Sequence, residues 1–268
     1  MPFLTFDGCA QYLTSPTAPY LIAKAYRDAN QPLPVLIACV RDPTSQAISW
    51  FRYEWNAIKW GEGMGLMENN ESLRGEQYPL KTIREALAYG QSEAVSTLYT
   101  NAEKLFSENK ELKKGYILPD WAMTWPGGQL SGIGRNAQFV ENINRYENVF
   151  QKQRRENSNE LLPQQNRVNI LPLQQLKDMT MVKSFLVQVL ENVALRRDDL
   201  QRQEFLAAVK SFQESKNNVQ IVHRNSTAAV QSYGSMDHDK EKEFLDEELK
   251  MELSKLESLC KERNVKWM

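Results

Sequence analysis

The stretch "VLIACVRDPTSQAISWFRYEW", residues 35–55, joins two different patterns at a charged turn. It opens with small and β-branched apolar residues, which are typical of a buried strand in a parallel sheet. Asp42 and Pro43 then form a helix-start signal, because an Asp carboxylate caps free N–H groups and proline suits the first helical position. The stretch therefore predicts a strand at 35–40, covered by helices on both faces, and a helix at 43–60.

The predicted junction between strand and helix has the chemistry of an anion site. The N–H groups of Thr44 and Ser45 lie at the positive end of the helix, which attracts anions. Arg41 lies beside them, and Ser49 follows Ser45 by one turn on the same helix face. A hydrogen bond to a charged group contributes roughly 1.5–3 kcal/mol and a helix end about 0.3–1 kcal/mol. We expect Arg41 to dominate a phosphate site that Ser49 orients; the alternative is an ion pair between Arg41 and a nearby carboxylate.

The composition is that of an ordinary globular protein. Of 268 residues, 41% are hydrophobic and 25% are charged, and the net charge is −1. No global field favours nucleic acid or a membrane surface, so an anion site has to be local. The 3 scattered cysteines form no CxxC pair and the 2 histidines fit no ligand pattern, so no disulfide framework or metal site is predicted. No apolar run reaches the roughly 18 residues of a membrane span, and no signal peptide is visible.

Periodic patterns continue along the rest of the chain. Strands separated by helices indicate one α/β domain over 1–268 that is built on a parallel sheet and rich in helix. The segment 61–78 is predicted to be a loop, and the polar segment 196–239 has no clear pattern. The expected helices are 16–26, 43–60, 80–105, 136–150, 182–193 and 245–260, and the expected strands are 35–40, 168–173 and 219–222.

The segment "ACVRDPTSQAISWFRYE" resembles the 3′-phosphate-binding segment of the sulfotransferase family. In that family an apolar strand leads into Arg-(Asp/Asn)-Pro, then Ala-(Tyr/Ile)-Ser and an aromatic residue. Four further segments are similar in the same order, so the resemblance covers nearly the full chain. They are "FDGCAQYL", "NAQFVENINRYENVF" with Ala137 and Phe139 in the Gly and Tyr places, "VNILPLQQL" with Gln174 and Gln175 replacing two acids, and "FLDEELKMELSKLESLCKERNVKW".

The resemblance implies a P-loop-like sulfotransferase fold with a central parallel sheet flanked by helices. It implies transfer of a sulfuryl group from 3′-phosphoadenosine 5′-phosphosulfate (PAPS) to a hydroxyl or amine of a small-molecule or carbohydrate acceptor, without a metal. Arg41 and Ser49 would hold the 3′-phosphate, and Asp7 would be the base that removes the acceptor proton. Arg224 would be a second phosphate contact. The alternatives are that Asp7 is a loop carboxylate and Arg224 an exposed loop arginine.

The family's Lys-bearing, Gly/Ser-containing loop for the 5′-phosphosulfate would lie well before Asp7, where this sequence has only 6 residues. We therefore expect the first strand and this loop to be missing from the chain, which keeps the 3′-phosphate half of the site. Three functions stay open: an active sulfotransferase, a catalytically inactive nucleotide-binding relative, and an unrelated helical scaffold protein. The sequence leaves open the acceptor, the oligomeric state and a compartment, Golgi lumen or cytoplasm.

Overall fold

The computed structural model describes residues 12–31, 33–52, 82–107, 132–157, 168–194, 199–214 and 238–267. In these ranges the chain forms helices, two strands and one 3₁₀ turn. They are α1 (Ala18–Asp28), β1 (Ile37–Val40), α2 (43–52), α3 (Ile83–Gly90), α4 (Glu93–Ser107), α5 (Gly132–Ala137), α6 (Phe139–Asn157), β2 (Asn169–Pro172), the 3₁₀ turn (Leu173–Lys177), α7 (Met179–Ala194), α8 (Asp199–Glu214), α9 (His238–Glu248) and α10 (Lys250–Glu262).

The two strands pair in parallel. Ile37 lies opposite Asn169, and Val40 lies opposite Pro172. Parallel strands need a long crossover connection, and here helices α2 to α6 lie between them in the chain. The two apolar segments predicted as strands therefore pair, which confirms the helix-rich α/β character at this coarse level.

One face of β1 is packed and the other is not. Ala38 and Val40 are buried, whereas Ile37 and Cys39 are exposed. The prediction that helices cover both faces is therefore wrong for β1. An apolar run satisfies the pattern of a doubly covered strand even when only alternate residues are buried, because exposed apolar residues are common at protein surfaces.

Three apolar clusters make up the core of the described chain. The first joins β1 and β2 to α1, α6 and α10, the second joins α2, α3, α5 and α9, and the third lies between α7 and α8. The helix predicted at 136–150 corresponds to α6, whose ring and aliphatic side chains belong to the first cluster. Buried members include Val40, Phe139, Ile143, Tyr146, Phe150, Leu256 and Cys260 in the first, Ala47, Phe51, Ile83, Leu87, Ile133 and Leu245 in the second, and Val187, Phe205 and Val209 in the third.

The helix expected at 80–105 is two helices. α3 opens with a capping box, in which the N–H of Glu85 donates to Thr82 Oγ1 at 3.2 Å and the N–H of Thr82 donates to Glu85 Oε2 at 3.0 Å. It ends at Gly90, and the hydroxyl of Ser92 accepts a hydrogen bond from the third residue of α4 at 3.4 Å. A weak helix former followed by a capping residue favours a break, which hydrophobic periodicity alone does not reveal.

Helix α1 begins two residues later than predicted. Thr17 occupies the N-cap position, and the hydroxyl of Ser15 accepts a hydrogen bond from the N–H of Ala18 at 3.1 Å. Pro19 lies in the first turn, where a proline lacks only an N–H that would have no helical partner. Ser15 and Pro19 therefore both act at the start of α1, although the helix begins at Ala18 and not at residue 16.

In the C-terminal half, two helices differ from those expected from the sequence. Helix α8 lies within 196–239, a largely polar segment for which the sequence predicts no helix; Phe205 and Val209 are buried in it. The closing helix is divided at Leu249, although the N–H of Leu249 still donates to Leu245 O at 2.8 Å. The apolar stripe continues through this division, so periodicity predicts a single helix.

A largely buried ion pair joins α6 to the C-terminal segment. Arg263 Nη1 and Nη2 donate to Glu147 Oε1 and Oε2 at 2.8 and 3.0 Å, and the two side chains are 10% and 12% exposed. Glu147 Oε1 also accepts from the N–H of Val168 at 2.8 Å, and Arg263 Nη1 donates to Val168 O at 3.1 Å. One network thus holds α6, the residue preceding β2 and the end of α10 together.

The residues after α10 fold back onto this region. Asn264 has φ of 56°, in the left-handed region that commonly ends a helix, and the N–H of Val265 donates to a carbonyl of the last turn at 2.8 Å. The side chain of Gln175 donates to the carbonyl of Lys266, and Trp267 is buried in the first cluster. The chain after α10 is therefore part of the core around the sheet.

We expect Glu147→Ala to lower the free energy of unfolding by about 3–5 kcal/mol, because it leaves the Arg263 charge largely buried and unpaired. Denaturant unfolding followed by circular dichroism measures the change. Glu248→Ala, which removes an exposed carboxylate of α9, is the control and should change stability by less than about 0.5 kcal/mol. Equal effects of the two substitutions would contradict a structural role for the ion pair.

We expect Thr82→Ala to lower the free energy of unfolding by about 1 kcal/mol, because it removes the oxygen that accepts from the N–H of Glu85. Thr82→Ser keeps a capping hydroxyl and should retain most of the stability. The same denaturant titration compares the two variants. If serine and alanine destabilise equally, the capping box does not stabilise α3.

Candidate functional site

The junction between β1 and α2 has the predicted geometry at its start. The strand ends at Val40, whose side chain is fully buried, and the helix begins at residue 43. Asp42 Oδ1 accepts a hydrogen bond from the N–H of Ser45 at 2.7 Å, and Asp42 O accepts from the N–H of Gln46 at 2.9 Å. The predicted cap is therefore confirmed, and α2 begins at the carboxyl edge of the parallel pair.

Packing on both sides holds this junction in place. Val40 belongs to the first apolar cluster, with β2 and α6, whereas Ala47 and Phe51 of α2 belong to the second, with α3 and α5. Thr44 is also buried, with 3% of its surface exposed. The turn at Arg41 thus lies between two separately packed elements, which limits how far it can move.

Arg41 places a positive charge at the carboxyl edge of the sheet. Its side chain is half-buried. Burial lowers the pKa of Arg41 from its ordinary value, and the charge of Asp42 acts in the opposite direction. A guanidinium remains protonated at neutral pH nonetheless. No carboxylate among the described residues lies within ion-pairing distance of it, so the ion pair considered as the alternative is not formed within that part of the chain.

The N–H groups at the start of α2 are less available to an anion than expected. The N–H of Ser45 is not free, because it donates to the Asp42 carboxylate. The cap and an anion compete for the same donors, since both are negatively charged oxygen acceptors. Ser45 is half-buried and Ser49, one turn further on, is exposed. The described donors at the junction are therefore the Arg41 guanidinium and serine hydroxyls, with fewer amides than the sequence suggests.

Two predicted site residues lie outside the described residues. They are Asp7, the predicted base, and Arg224, the predicted second phosphate contact. The segment 61–78 and the expected strand at 219–222 also lie outside them. The described part of the chain begins at Tyr12, five residues after Asp7 in the sequence. The carbonyl of Tyr12 accepts a hydrogen bond from Tyr146 Oη at 2.6 Å. This contact attaches the start of the described chain to α6.

A polar network that sequence reasoning missed joins α1, α4 and α6. Tyr20 Oη donates to Glu103 Oε1 at 3.3 Å, and Arg145 Nε lies 3.7 Å from Glu103 Oε2. Arg145, with 8% of its side chain exposed, also donates to Asn142 Oδ1 at 2.9 Å and contacts Glu141 Oε1 at 3.4 Å. A charged residue beside an apolar helix stripe is the signal that could have indicated such a network.

The network of Tyr20, Glu103 and Arg145 has a structural role. Burial, followed by the charge of Glu103 and the hydrogen bond to it, raises the pKa of Tyr20 to about 12. A phenol with such a pKa stays protonated at neutral pH and cannot act as a general base there. The carboxylate of Glu103 shares its charge between a tyrosine and an arginine, so it serves to hold the three helices together.

A second cluster of polar side chains surrounds Arg135 of α5. Arg135 Nη2 donates to Ser96 Oγ at 2.6 Å, and its guanidinium lies 4.9 Å from the centre of the Tyr99 ring. Its carbonyl accepts from Asn142 Nδ2 at 3.0 Å. The neighbouring Asn136 is 3% exposed and its Oδ1 has no hydrogen-bond donor within the described chain. These contacts fix α5 between α4 and α6, beside the cluster that holds α2.

Among the residues that the structure describes, no group of three or more His, Cys, Asp or Glu side chains could hold a metal ion. The helices of the same ranges include none that is long and apolar enough to cross a membrane.

Comparisons with known proteins identify no relative. No protein-family model matches the chain, and neither the curated proteins nor the solved structures contain a significant match. The functional conclusion therefore depends on the residues of the β1–α2 junction.

Proposed function

We propose that the chain is a sulfotransferase that takes a sulfuryl group from PAPS and that its β1–α2 junction holds the 3′-phosphate of this donor. The observation that carries the proposal is the position of Arg41. It directly follows a strand of a parallel pair and directly precedes a helix capped by Asp42. Nucleotides bind at the carboxyl ends of parallel strands in open α/β sheets, where helix N-termini meet the ligand.

The charge at the junction suits a phosphate group. A guanidinium offers several N–H donors in one plane and forms shorter, stronger hydrogen bonds to phosphate oxygens than neutral donors do. Arg41 has no ion-pair partner among the described carboxylates, so its charge is available to a ligand. Hydroxyls of Ser45 and Ser49 on the adjoining helix supply neutral donors that can orient the same group. The arrangement fits the ribose phosphate of PAPS and of its product, adenosine 3′,5′-bisphosphate.

The fold proposed for the whole chain is the P-loop-like sulfotransferase fold. Its support is the order of the five similar segments and the way four of them meet in the described core. The strand before Arg41 pairs with β2, Phe139 of α6 packs in the same cluster, and Trp267 after the closing helix packs there as well. Segments that are distant in the chain thus surround one short parallel sheet.

The proposed reaction is attack of an acceptor hydroxyl or amine on the sulfur of PAPS. The bond from sulfur to the bridging oxygen breaks, adenosine 3′,5′-bisphosphate leaves, and the acceptor proton passes to a base, which we assign to Asp7. Catalysis of such transfers depends mostly on positioning and on stabilising charge on the equatorial oxygens. Arg224 is assigned to the donor phosphate, and a carbohydrate is the proposed acceptor class.

We expect Arg41→Ala to weaken binding of adenosine 3′,5′-bisphosphate by about 2–3 kcal/mol, because a charge-assisted hydrogen bond is lost. Isothermal titration calorimetry measures the affinity. Arg27→Ala, which removes an exposed arginine of α1, is the matched control and should leave it unchanged. Unchanged affinity in folded Arg41→Ala would refute the role of Arg41, and absence of binding by the unaltered protein would favour a helical scaffold protein.

In a form of the protein that carries the 5′-phosphosulfate loop, we expect Asp7→Asn to reduce sulfuryl transfer from PAPS to a carbohydrate acceptor by about 100-fold or more, because a general base typically contributes that much. Affinity for adenosine 3′,5′-bisphosphate should stay the same. Transfer of radiolabelled sulfate measures the first quantity and calorimetry the second. Full activity in the variant would exclude Asp7 as the base, and binding without any transfer by the unaltered protein would indicate an inactive nucleotide-binding relative.

A further inference from the structure

Asp42 has two opposing effects at the β1–α2 junction. Its carboxylate accepts from the N–H of Ser45 at 2.7 Å and its carbonyl from the N–H of Gln46 at 2.9 Å, so it defines where α2 begins. The same carboxylate is a negative charge in the residue next to Arg41. It also occupies a helix-end amide that would otherwise be open to a ligand.

We propose that Asp42 sets the affinity of this junction for phosphate: it positions α2 and at the same time weakens retention of the nucleotide. This inference rests on the proposed function, since it concerns the same 3′-phosphate site. A bound phosphate has to share the charge of Arg41 with Asp42 and meets a helix end that is already partly neutralised. The consequence is easier release of adenosine 3′,5′-bisphosphate, the product that a sulfotransferase has to discharge in every cycle.

If Asp42 has this role, removing its charge should tighten nucleotide binding. Asn and Ser cap helices about as well as Asp, but they carry no charge. A neutral cap should therefore keep α2 in place and remove the repulsion, so nucleotide binding should become tighter. A purely structural role for Asp42 predicts unchanged or weaker binding in the same variants. The direction of the change thus separates the two roles.

The test is calorimetry of adenosine 3′,5′-bisphosphate with the unaltered protein, Asp42→Asn and Asp42→Ser, at low and high ionic strength. We expect both variants to bind roughly threefold to tenfold more tightly at low ionic strength, with a smaller gain when salt screens the charges. Adenosine, which lacks phosphate, is the control ligand and should show no gain. Thermal unfolding checks that each variant keeps its fold, and either neutral cap suffices if the other variant does not fold.

The possible results separate this inference from the proposed function. If the unaltered protein binds the nucleotide and the folded variants bind it equally or more weakly, the role of Asp42 is refuted and the phosphate site remains. If the unaltered protein does not bind the nucleotide, the proposed function is refuted and the inference with it. A gain that also appears with adenosine would attribute the effect to the fold and refute the charge-based role.

Discussion

The ion pair between Glu147 and Arg263 is the contact on which the described core depends most. It is bidentate and largely buried, and both side chains also bond the backbone of Val168, directly before β2. Removing charges from water is costly, so such a pair stabilises a fold only when its remaining hydrogen-bonding groups are satisfied, as most are here. It connects a central helix, a strand and the end of the chain, and so fixes the short parallel sheet against which β1 lies.

The position of the candidate site depends on the parallel sheet that this ion pair holds in place. Because β2 is held by α6 and α10, β1 has a fixed neighbour, and its carboxyl end presents Arg41 at a defined edge. Packing of α2 against α3, α5 and α9 then fixes the direction in which the helix leaves this edge. The site thus consists of few polar groups held by two apolar clusters, an arrangement that suits recognition of a compact anion.

Local features were the most predictable. The strand ending before Arg41, the Asp42 cap and the apolar face of α6 follow from residue type and spacing over one or two turns. The break at Gly90 was not predicted, because one weak helix former changes the periodicity very little, and the helix at Asp199–Glu214 was not predicted, because it lies within a long polar segment. Within the site, the occupied amide of Ser45 follows from the cap itself, although the sequence alone suggested that an anion could use it.

The sequence by itself determined a helix-rich α/β chain and the identity of the charged turn, because both depend on neighbours within a few residues. Only the tertiary structure decided that β1 is exposed on one face, that Tyr20, Glu103 and Arg145 form a network, and that Glu147 meets Arg263. These partners are separated by long stretches of chain, and the free energy of bringing them together comes from packing of whole helices. Spacing along a sequence contains no measure of that packing.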